Sequence, residues 1–376
     1  MKLSDVCEFI VDCPHSTAKD EGEGYPLIRT PNIGKGRLIL EGVHRVSESV
    51  YNKRNARAIP QDDDLIFARE APAGNVAIIK NGEKVCLGQR TVLLRPNKDL
   101  VNPDFLAYFL LAPEQQYGLL GTANGATVAH VNIPTIRELK IQLPSLEKQT
   151  RIAEIITTYD DLIENNQKQI KLLEEAAQRL YKEWFVNLRF PGQETTPITD
   201  GVPEGWKQLS LEQIAPILTG KKDANFSTED GQYPFFTCAQ TPLQAPSYSF
   251  DCDAVILAGN GDFNVKLYRG QFEAYQRTYV LSPENKELLF LLYHAVNNSM
   301  AKLAQGASGS TIKFLTKGMI ANIPVYAPDE LTLNKFNELS EAIQRQIEVL
   351  KSAIAHATEA RDRLLPKLMN GEIEVG

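Results

Sequence analysis

The chain has 376 residues, more than a typical domain of about 100 to 200 residues, so two or three folded units are expected. With 43% hydrophobic and 23% charged residues and no apolar run long enough to span a membrane, it is expected to be a folded, cytoplasmic protein without a membrane segment. The formal net charge of −7 argues against a protein that coats DNA through overall positive charge, so a phosphate-binding surface must be local.

Residues 1–144 are predicted to fold as a first α/β domain. Short runs of β-forming residues, such as Asp64 to Ala68, are separated by Gly, Pro and Asn, and an amphipathic helix is expected from Asp104 to Ala112. The stretch from Arg29 to Arg57 contains seven basic and two acidic residues. Such a local excess of positive charge attracts a phosphate backbone, although a solvated basic loop fits the same pattern.

Residues 145–190 are predicted to form a long helix, because turn signals almost vanish between Pro144 and Phe185. Its apolar stripe advances in alternating steps of four and three residues, which is a heptad pattern and requires a partner helix. Asn166 is the polar position of this seam, where a buried amide can fix the register and an exposed one would mark separating helices. The seam positions are Ile152, Ile156, Tyr159, Ile163, Asn166, Ile170, Leu173, Ala177, Leu180 and Trp184.

The second half of the chain repeats the first. Residues 123–128 match residues 307–312 at an offset of 184. Further upstream, the triplet Gln89-Arg90-Thr91 matches Gln276-Arg277-Thr278 at an offset of 187. Because the first copy is longer, the offset increases to 208 near the start of each copy, and loops tolerate such length differences. We refer to residues 1–190 and 191–376 as the first and second repeats.

The repeat predicts a second α/β domain at residues 191–328 and a second long helix at residues 329–376. The expected fold is two α/β (α+β) domains joined by two long helices in an antiparallel coiled coil, with the shape of a pseudo-two-fold dumbbell. Two different domains in this arrangement suit a bipartite DNA site whose halves differ. The second seam comprises Ile343, Ile347, Leu350, Ile354, Leu364 and Leu368.

Several segments are typical of one known family. They are Gly24 to Arg29 with Asn32-Ile33, the strand Asp64 to Arg69, both Gln-Arg-Thr triplets, the helix entry Leu143 to Gln149, and the helix ends Arg179 to Phe185 and Leu364 to Gly371. Through them the whole chain resembles the specificity subunits of type I restriction-modification enzymes. The resemblance implies a non-catalytic subunit that binds double-stranded DNA. It also implies that two DNA methyltransferase subunits and, in the full complex, motor-nuclease subunits are directed to a split sequence. The second helix entry departs from the pattern, because it lacks a counterpart of Gln149.

Base edges are recognised by Arg or Lys at guanine, by Asn or Gln at adenine and by short hydroxyls at either, whereas other contacts reach phosphates. The candidate DNA-binding residues of the first domain are Arg29, Asn32, Lys35, Arg37, Arg54, Arg57, Arg69, Asn124 and Thr127. Those of the second domain are Lys221, Lys222, Gln240, Asn260, Asn264, Ser308, Ser310 and Thr311. The triplets at Gln89 and Gln276 lie at strand starts, where a structural role is the favoured interpretation.

No metal, cofactor or catalytic residue is expected in this chain. Its five cysteines are scattered without a Cys-x-x-Cys pair, so neither a disulfide framework nor a zinc site is supported. A phosphate-binding loop would need Ser or Thr after Gly220-Lys221, where Lys222 stands. A segment for amino-group methylation would need a second Pro after Asn102-Pro103, where Asp104 stands.

Two other interpretations stay open on the sequence alone. One is a coiled-coil scaffold with two protein-binding heads that does not bind DNA, which the acidic net charge favours and the basic stretch opposes. The other is the recognition subunit of a methyltransferase-nuclease complex outside type I, which only neighbouring genes would distinguish.

Overall fold

The computed structural model describes residues 1–121, 130–309 and 311–375, which form two compact units. Unit 1 consists of Met1–Gln167 and Lys351–Gly376, and unit 2 consists of Lys168–Leu350. The predicted first and second domains each lie within one unit, and the chain passes between the units inside the long helices. Of the helices in these described ranges, none combines the length and apolar character that crossing a membrane requires.

The helices and strands are numbered in chain order. The first repeat contains β1 Cys7–Asp12, β2 Tyr25–Ile28, β3 Gly36–Arg37, β4 Arg45–Val46, α1 Glu48–Arg54, β5 Leu65–Ala68, β6 Val76–Ile78, β7 Cys86–Leu87, β8 Thr91–Pro96, α2 Pro103–Leu111, α3 Pro113–Leu120, α4 Ile133–Glu138 and α5 Leu146–Tyr181. The second repeat contains β9 Ile198–Thr199, β10 Val202–Pro203, β11 Lys207–Ser210, β12 Ile217–Thr219, β13 Tyr233–Phe236, β14 Leu243–Ala245, β15 Phe250–Ala258, β16 Val265–Ala274, β17 Thr278–Leu281, α6 Leu289–Gly306, α7 Lys317–Ala321, β18 Pro324–Ala327 and α8 Glu330–Met369.

The first domain contains a five-stranded sheet with strand order β1-β8-β5-β6-β3 and a three-stranded sheet with order β4-β2-β7. All four residues of β5 are buried. Because successive side chains of a strand point to opposite sides, both faces of β5 are therefore covered. Leu65 and Phe67 pack in the core that includes α2, whereas Ile66 and Ala68 pack in a separate core on the other face. This burial explains why the strand reads as a continuous apolar run.

The second domain contains a six-stranded sheet with strand order β12-β17-β15-β16-β13-β14 and a two-stranded sheet of β11 and β18; β9 and β10 form a separate pair. β15 is also covered on both faces. Val255 and Leu257 pack in the core that includes α6, and Ala254 and Ile256 pack with Phe272 on the opposite face. In each predicted α/β domain, the largest sheet therefore has a helix on one face.

Strand pairing confirms the internal repeat. The antiparallel order β1-β8-β5-β6 of the first domain recurs as β12-β17-β15-β16 in the second. In the remaining strands, Leu27 pairs with Cys86 in parallel, as Phe235 pairs with Glu273. β16 therefore corresponds to both β6 and β7, and its length of 10 residues joins in the second domain the sheets that are separate in the first.

The two long helices are present at the predicted places, with 36 residues in α5 and 40 in α8. All predicted seam side chains are buried or half-buried. In unit 1, Ile152 of α5 packs in one core with Leu368 of α8, and Asp160 binds Arg361 about two turns further along, so the helices run antiparallel. In unit 2, the rings of Trp184 and Phe336 lie 6.0 Å apart.

Asn166 is buried, with 5% of its surface exposed. Of the two interpretations of this seam amide, burial is the one that the structure supports. The domain boundaries at residues 144, 190 and 328 stay predictions, because the compact units divide the chain within α5 and α8 rather than at the helix ends.

Candidate nucleic-acid interface

Three segments of each domain meet through the same backbone hydrogen bonds. In the first domain, the N–H of Arg69 donates to the carbonyl of Arg90 at 2.9 Å, and the N–H of Val131 donates to the carbonyl of Arg69 at 3.0 Å. In the second domain, Gly259 donates to Arg277 and Leu315 donates to Gly259, both at 2.8 Å. The end of the central strand thus connects the Gln-Arg-Thr triplet to the residue that follows the Gly-rich segment.

These meeting points define two loop clusters. The first loop cluster comprises residues 12–17, 69–70, 88–90 and 130–131, and the second comprises residues 220–223, 238–240, 259–266, 276–277, 307–309 and 311–315. The glutamine of each triplet binds the loop after an equivalent strand, which is β1 in the first domain and β12 in the second. Gln89 donates from Nε2 to the carbonyl of His15 at 2.7 Å, and Gln276 donates to the carboxylate of Asp223 at 2.8 Å. These bonds support the structural interpretation of both glutamines.

Arg69 is the most firmly oriented cation of the first loop cluster. Its side chain is 12% exposed, and the guanidinium donates to Asp12 at 3.3 Å and to Nε2 of His130 at 2.8 Å. Nδ1 of His130 faces Glu70, which also pairs with Arg90. Partial burial, together with Arg69 and Arg90, lowers the pKa of His130, in agreement with a neutral ring that accepts a hydrogen bond. Ion pairs and hydrogen bonds therefore fix the direction of Arg69.

Arg57 presents a more open cation at the same cluster. It is exposed, and its Nη1 donates to the backbone carbonyl of Asp12 at 3.3 Å. His15, whose side chain is 71% exposed, lies 3.1 Å from the Asp12 carboxylate. An exposed guanidinium with several N–H donors is suited to a phosphate contact.

Arg54 lies inside the first domain, although only two residues separate it from Arg57. It is 6% exposed, and its guanidinium donates to the carbonyls of Leu87 at 2.6 Å, Ser16 at 3.0 Å and Pro14 at 3.4 Å. Burial lowers the pKa of Arg54, but guanidinium groups stay protonated in proteins. These contacts indicate a structural role for Arg54 rather than the DNA contact predicted from the sequence.

Asn32 is buried as well, at 6% exposure, and shapes a turn instead of facing solvent. Its amide donates to the carbonyl of Ile39 at 3.2 Å and accepts from the N–H of Arg29 at 3.2 Å. The half-buried Arg29 packs against Gly88 so closely that a Cβ on Gly88 would lie 2.9 Å from the Arg29 Cγ. Arg29 therefore lies beside the first loop cluster, whereas the amide of Asn32 is used in hydrogen bonds that hold a turn.

Arg37 contacts α5, and Lys35 borders a cavity beside α8 in unit 1. Arg37 donates to the carboxylate of Asp161 on α5 at 2.6 Å. Lys35 is exposed and borders a cavity of about 200 Å³ that is also lined by Tyr108 and Arg361. The basic residues between Arg29 and Arg57 thus lie in three places: at the first loop cluster, inside the domain and near the long helices.

The second loop cluster contains a network of amide and carboxylate groups. Gln240 donates to the carboxylate of Asp262 at 2.8 Å. Asn264 donates both amide protons to backbone carbonyls, of Cys238 at 3.0 Å and of Asp262 at 2.8 Å, and its amide oxygen accepts from Lys266. Burial lowers the pKa of the Lys266 amine. The exposed Gln240 is therefore more accessible than Asn264, whose amide is occupied within the turn.

A short hairpin forms one side of the second loop cluster. Ser308 and Phe314 exchange backbone hydrogen bonds of 3.0 and 2.8 Å, and Asn260 forms a β-bridge with Phe314. Thr311 is exposed and lines a surface groove of about 500 Å³. The hairpin brings the candidates Asn260, Ser308 and Thr311 together.

Lys221 and Lys222 follow β12 at the edge of the same cluster. Lys221 is exposed, and the amine of Lys222 lies 4.3 Å from the centre of the Phe226 ring. The backbone carbonyl of Lys222 accepts from the N–H of Gln276 at 2.9 Å, which connects this loop to the triplet. The candidates Asn124, Thr127 and Ser310 lie outside the described residues.

Six cations or imidazoles of the loop clusters were not among the sequence-derived candidates. They are His15, Arg90, His130, Lys266, Arg277 and Lys313. The repeat provides a signal for three of them, because Arg90 and Arg277 belong to the repeated triplets and His130 lies two residues after the repeated Gly-rich segment. Lys266 has no such signal, because it reaches the cluster only through the pairing of β15 with β16.

The two helix entries use different side chains to join domain and helix. Gln149 is 1% exposed, accepts from the N–H of Asn102 at 2.9 Å and donates to the carbonyl of Pro144 at 2.9 Å. In the second repeat, Asp329 accepts from the Trp206 indole at 3.1 Å and from the Thr332 hydroxyl at 2.7 Å. The second repeat has no counterpart of Gln149 and therefore joins its domain to its helix through the hydrogen bonds of Asp329 instead.

The fold is that of a duplicated protein. An α/β domain followed by a long helix occurs twice, and the loop clusters of the two domains have different polar side chains. Residues 1–175 and 203–348 both match the family model described as the type I restriction modification DNA specificity domain. The chain belongs to this family.

Individual relatives agree with this assignment. The type I restriction enzyme MjaIX specificity subunit of Methanocaldococcus jannaschii is 26% identical, over all of this chain and 93% of the relative. The EcoDI specificity subunit of Escherichia coli is 39% identical over 176 residues, which cover 46% of this chain and 39% of that protein. In fold, the chain is similar to the type I restriction-modification S subunit from M. genitalium, with a TM-score of 0.57 over 98% of this chain and 95% of that one at 15% identity.

Proposed function

We propose that this chain is the DNA-specificity subunit of a type I restriction-modification complex and that each domain reads one half of a split duplex target. One observation carries the proposal: the same backbone frame at Arg69 and at Gly259 presents different side chains in the two domains. A shared frame places both surfaces in equivalent positions, while different side chains select different bases. Such a pair suits a bipartite, asymmetric site.

Accessible groups and oriented groups have different tasks in this function. Exposed cations such as Arg57, Lys221 and Lys313 contact phosphates, because their charge is accessible and their direction is little constrained. Arg69 has a guanidinium direction set by Asp12 and His130, and preorganised groups are the ones that discriminate between bases. In the second domain, Gln240 and the hydroxyls of the hairpin are the corresponding readers.

Catalysis is assigned to partners. We propose that two DNA methyltransferase subunits and, in the full complex, motor-nuclease subunits assemble with this chain in the cytoplasm. Methylation requires the target base to leave the helical stack and enter a methyltransferase pocket, which we assign to the partner. The chain on its own is then expected to bind DNA without methylating or cleaving it.

The test is methylome sequencing of a host that expresses the chain together with its methyltransferase subunit. A methylated motif with two specific halves separated by unspecified bases is expected. A matched chimera, in which residues 1–144 come from another family member, should change one half and leave the other intact. Absence of any new motif, or a change in both halves of the target, would contradict the proposal.

A binding measurement separates this function from a scaffold role. The complex should bind a duplex with the sequenced motif at least about 1,000-fold more tightly than a scrambled duplex at physiological salt. Equal affinity for both duplexes would exclude sequence recognition.

A further inference from the structure

Several backbone contacts hold the described residues of the hairpin in the second loop cluster, 307–309 and 311–315. Besides the exchange between Ser308 and Phe314, the N–H of Gly261 donates to the carbonyl of Lys313 at 3.2 Å. Gly309 has a φ of +104°, and a Cβ there would lie 2.3 Å from the carbonyl oxygen of Ile312, so the turn closes tightly on that residue. The position of Ile312 is therefore defined by bonds on both sides of it.

Ile312 is apolar and yet 60% exposed, and Phe314 beside it is 40% exposed. A single exposed apolar side chain is normal on a protein surface, so exposure alone carries no inference. The surroundings are what distinguish this one. Thr311 and Lys313, its exposed chain neighbours, line the same groove as Ile312 together with Asp262, Phe263 and Ala304, so the apolar side chain stands beside groups that can contact both the phosphates and the bases of DNA.

The sequence repeat offers independent support. At the offset of 184 residues, Val128 aligns with Ile312, so each Gly-rich segment ends with a β-branched apolar residue after a hydroxyl residue. Val128 lies outside the described residues, and the comparison rests on sequence alone. Two copies that differ in most polar candidates have the same type of side chain at this point.

We propose that Ile312 is a wedge residue that inserts between base pairs of the second half-site and partly unstacks them. The inference rests on the proposed function and deepens it. DNA-binding proteins use Phe, Leu, Ile, Met or Pro as apolar wedges, which unstack a base step and kink the duplex. The backbone hydrogen bonds of Ser308, Lys313 and Phe314 suit the task, because a loop without such bonds would yield instead of opening the stack.

Unstacking has a use in this reaction. A methyltransferase must extrude its target base, and extrusion costs less where stacking is already weakened. Ile312 is thus a positioning residue: it prepares the DNA for the partner without touching the atoms that react.

The test uses the full complex of the chain with its methyltransferase subunits and a duplex that carries the methylated motif. Single 2-aminopurine substitutions are placed in turn at each position in and next to the second half-site, because the fluorescence of this base rises when it unstacks. The wild-type complex should increase the fluorescence severalfold at one step. Ile312→Ser should abolish most of that increase, and Ile312→Leu should preserve it.

Ile198→Ser is the matched control. Ile198 is 41% exposed, lies in the β9 and β10 pair outside the loop cluster, and should leave the fluorescence unchanged. Far-UV circular dichroism and thermal unfolding establish that each variant is folded. Methylation at subsaturating DNA should fall about fivefold or more in Ile312→Ser.

The outcomes distinguish this inference from the proposed function. Specific binding without brightening at any step, or brightening that persists in Ile312→Ser, overturns the wedge and leaves the specificity function intact. Failure of the wild-type complex to prefer the motif over a scrambled duplex overturns both.

Discussion

Arg361 of α8 donates from Nη1 to Oδ1 of Asp160 on α5 at 2.6 Å, across 201 positions of the chain. Asp160 is 4% exposed, and its other oxygen accepts from the hydroxyl of Tyr108 at 2.6 Å. Burial is the main cause that raises the pKa of Tyr108, and the Asp160 carboxylate adds to it, so the hydroxyl stays protonated and donates. The first domain, the first long helix and the end of the chain are therefore joined in unit 1 through one buried carboxylate.

Removing either charge of this pair should destabilise unit 1. A buried ion pair that loses one partner leaves the other charge unsatisfied, at a cost of about 3 to 5 kcal/mol. Arg361→Ala should reduce the free energy of unfolding by roughly that amount, as measured in urea. Asp160→Ala should also reduce it, through the loss of the bonds to Arg361 and Tyr108, although Arg361 keeps its bonds of 3.0 and 2.8 Å to Asp362. The double variant should lose less than the sum of both, because it leaves no lone buried charge. Additive losses would show that the two residues act independently.

Arg57 and Arg54 should respond differently to replacement by alanine. Arg57→Ala removes an exposed cation, so the slope of log affinity for duplex DNA against log salt should fall by about 0.9 if one phosphate contact is lost. Thermal stability should hardly change. An unchanged slope and affinity would mean that Arg57 faces solvent in the complex.

Arg54→Ala should act on folding instead. It leaves the carbonyls of Leu87, Ser16 and Pro14 without their donor inside the domain, which should cost about 2 to 4 kcal/mol of unfolding free energy. At a temperature where the variant is folded, the salt slope should match that of the wild type. A slope reduced by about one unit in a fully stable variant would restore Arg54 as a DNA contact.

Stability should depend on the protonation of His294 in unit 2. This ring is buried beside Phe336 and contacts Gln178 at 3.2 Å, and burial lowers its pKa to about 4 from the ordinary 6.5. The unfolded chain thus takes up this proton near pH 6.5 and the folded chain only near pH 4. Between these values, acid should remove up to about 3 kcal/mol of stability, and above pH 7 the full stabilisation is present.

The measurement is urea unfolding between pH 7.5 and pH 4.5. His294→Gln should show a shallower loss of stability than the wild type, whereas His356→Gln, which replaces an exposed histidine of α8, should follow the wild-type curve. Parallel curves for wild type and His294→Gln would place the acid sensitivity elsewhere.

Gly259 should tolerate no side chain. A Cβ at this position would lie 2.4 Å from the carbonyl oxygen of Arg277 and 2.8 Å from Cε2 of Tyr279. Gly259→Ala should therefore separate the strand end from the triplet, with a loss of about 2 kcal/mol or more and weaker binding at the second half-site. Gly318→Ala is the control, because a Cβ there would have no other atom within 4 Å and helix α7 favours alanine. Equal stability of both variants would contradict the close contact at Gly259.

The sequence by itself determined the duplicated architecture. The repeat offset and the heptad spacing from Ile152 to Trp184 are periodic signals, and a period constrains secondary structure and packing face wherever it occurs in the chain. The seam positions and both long helices follow from those signals. The same signals placed the Gly-rich segments and the Gln-Arg-Thr triplets in corresponding places of the two domains.

Only the tertiary structure decided which candidate side chains are accessible. Arg54 and Arg57 belong to one basic stretch, yet Arg54 is buried because the carbonyl of Leu87 lies 33 positions away in the chain and within 2.6 Å in space. Charge patterns count residues without regard to burial, since burial depends on strands that are distant in sequence. For the same reason, the sequence did not predict three further contacts. The amide of Asn264 donates to nearby backbone carbonyls, and Lys266 lies in the second loop cluster because β15 pairs with β16. Asp160 binds Arg361 only in the folded unit.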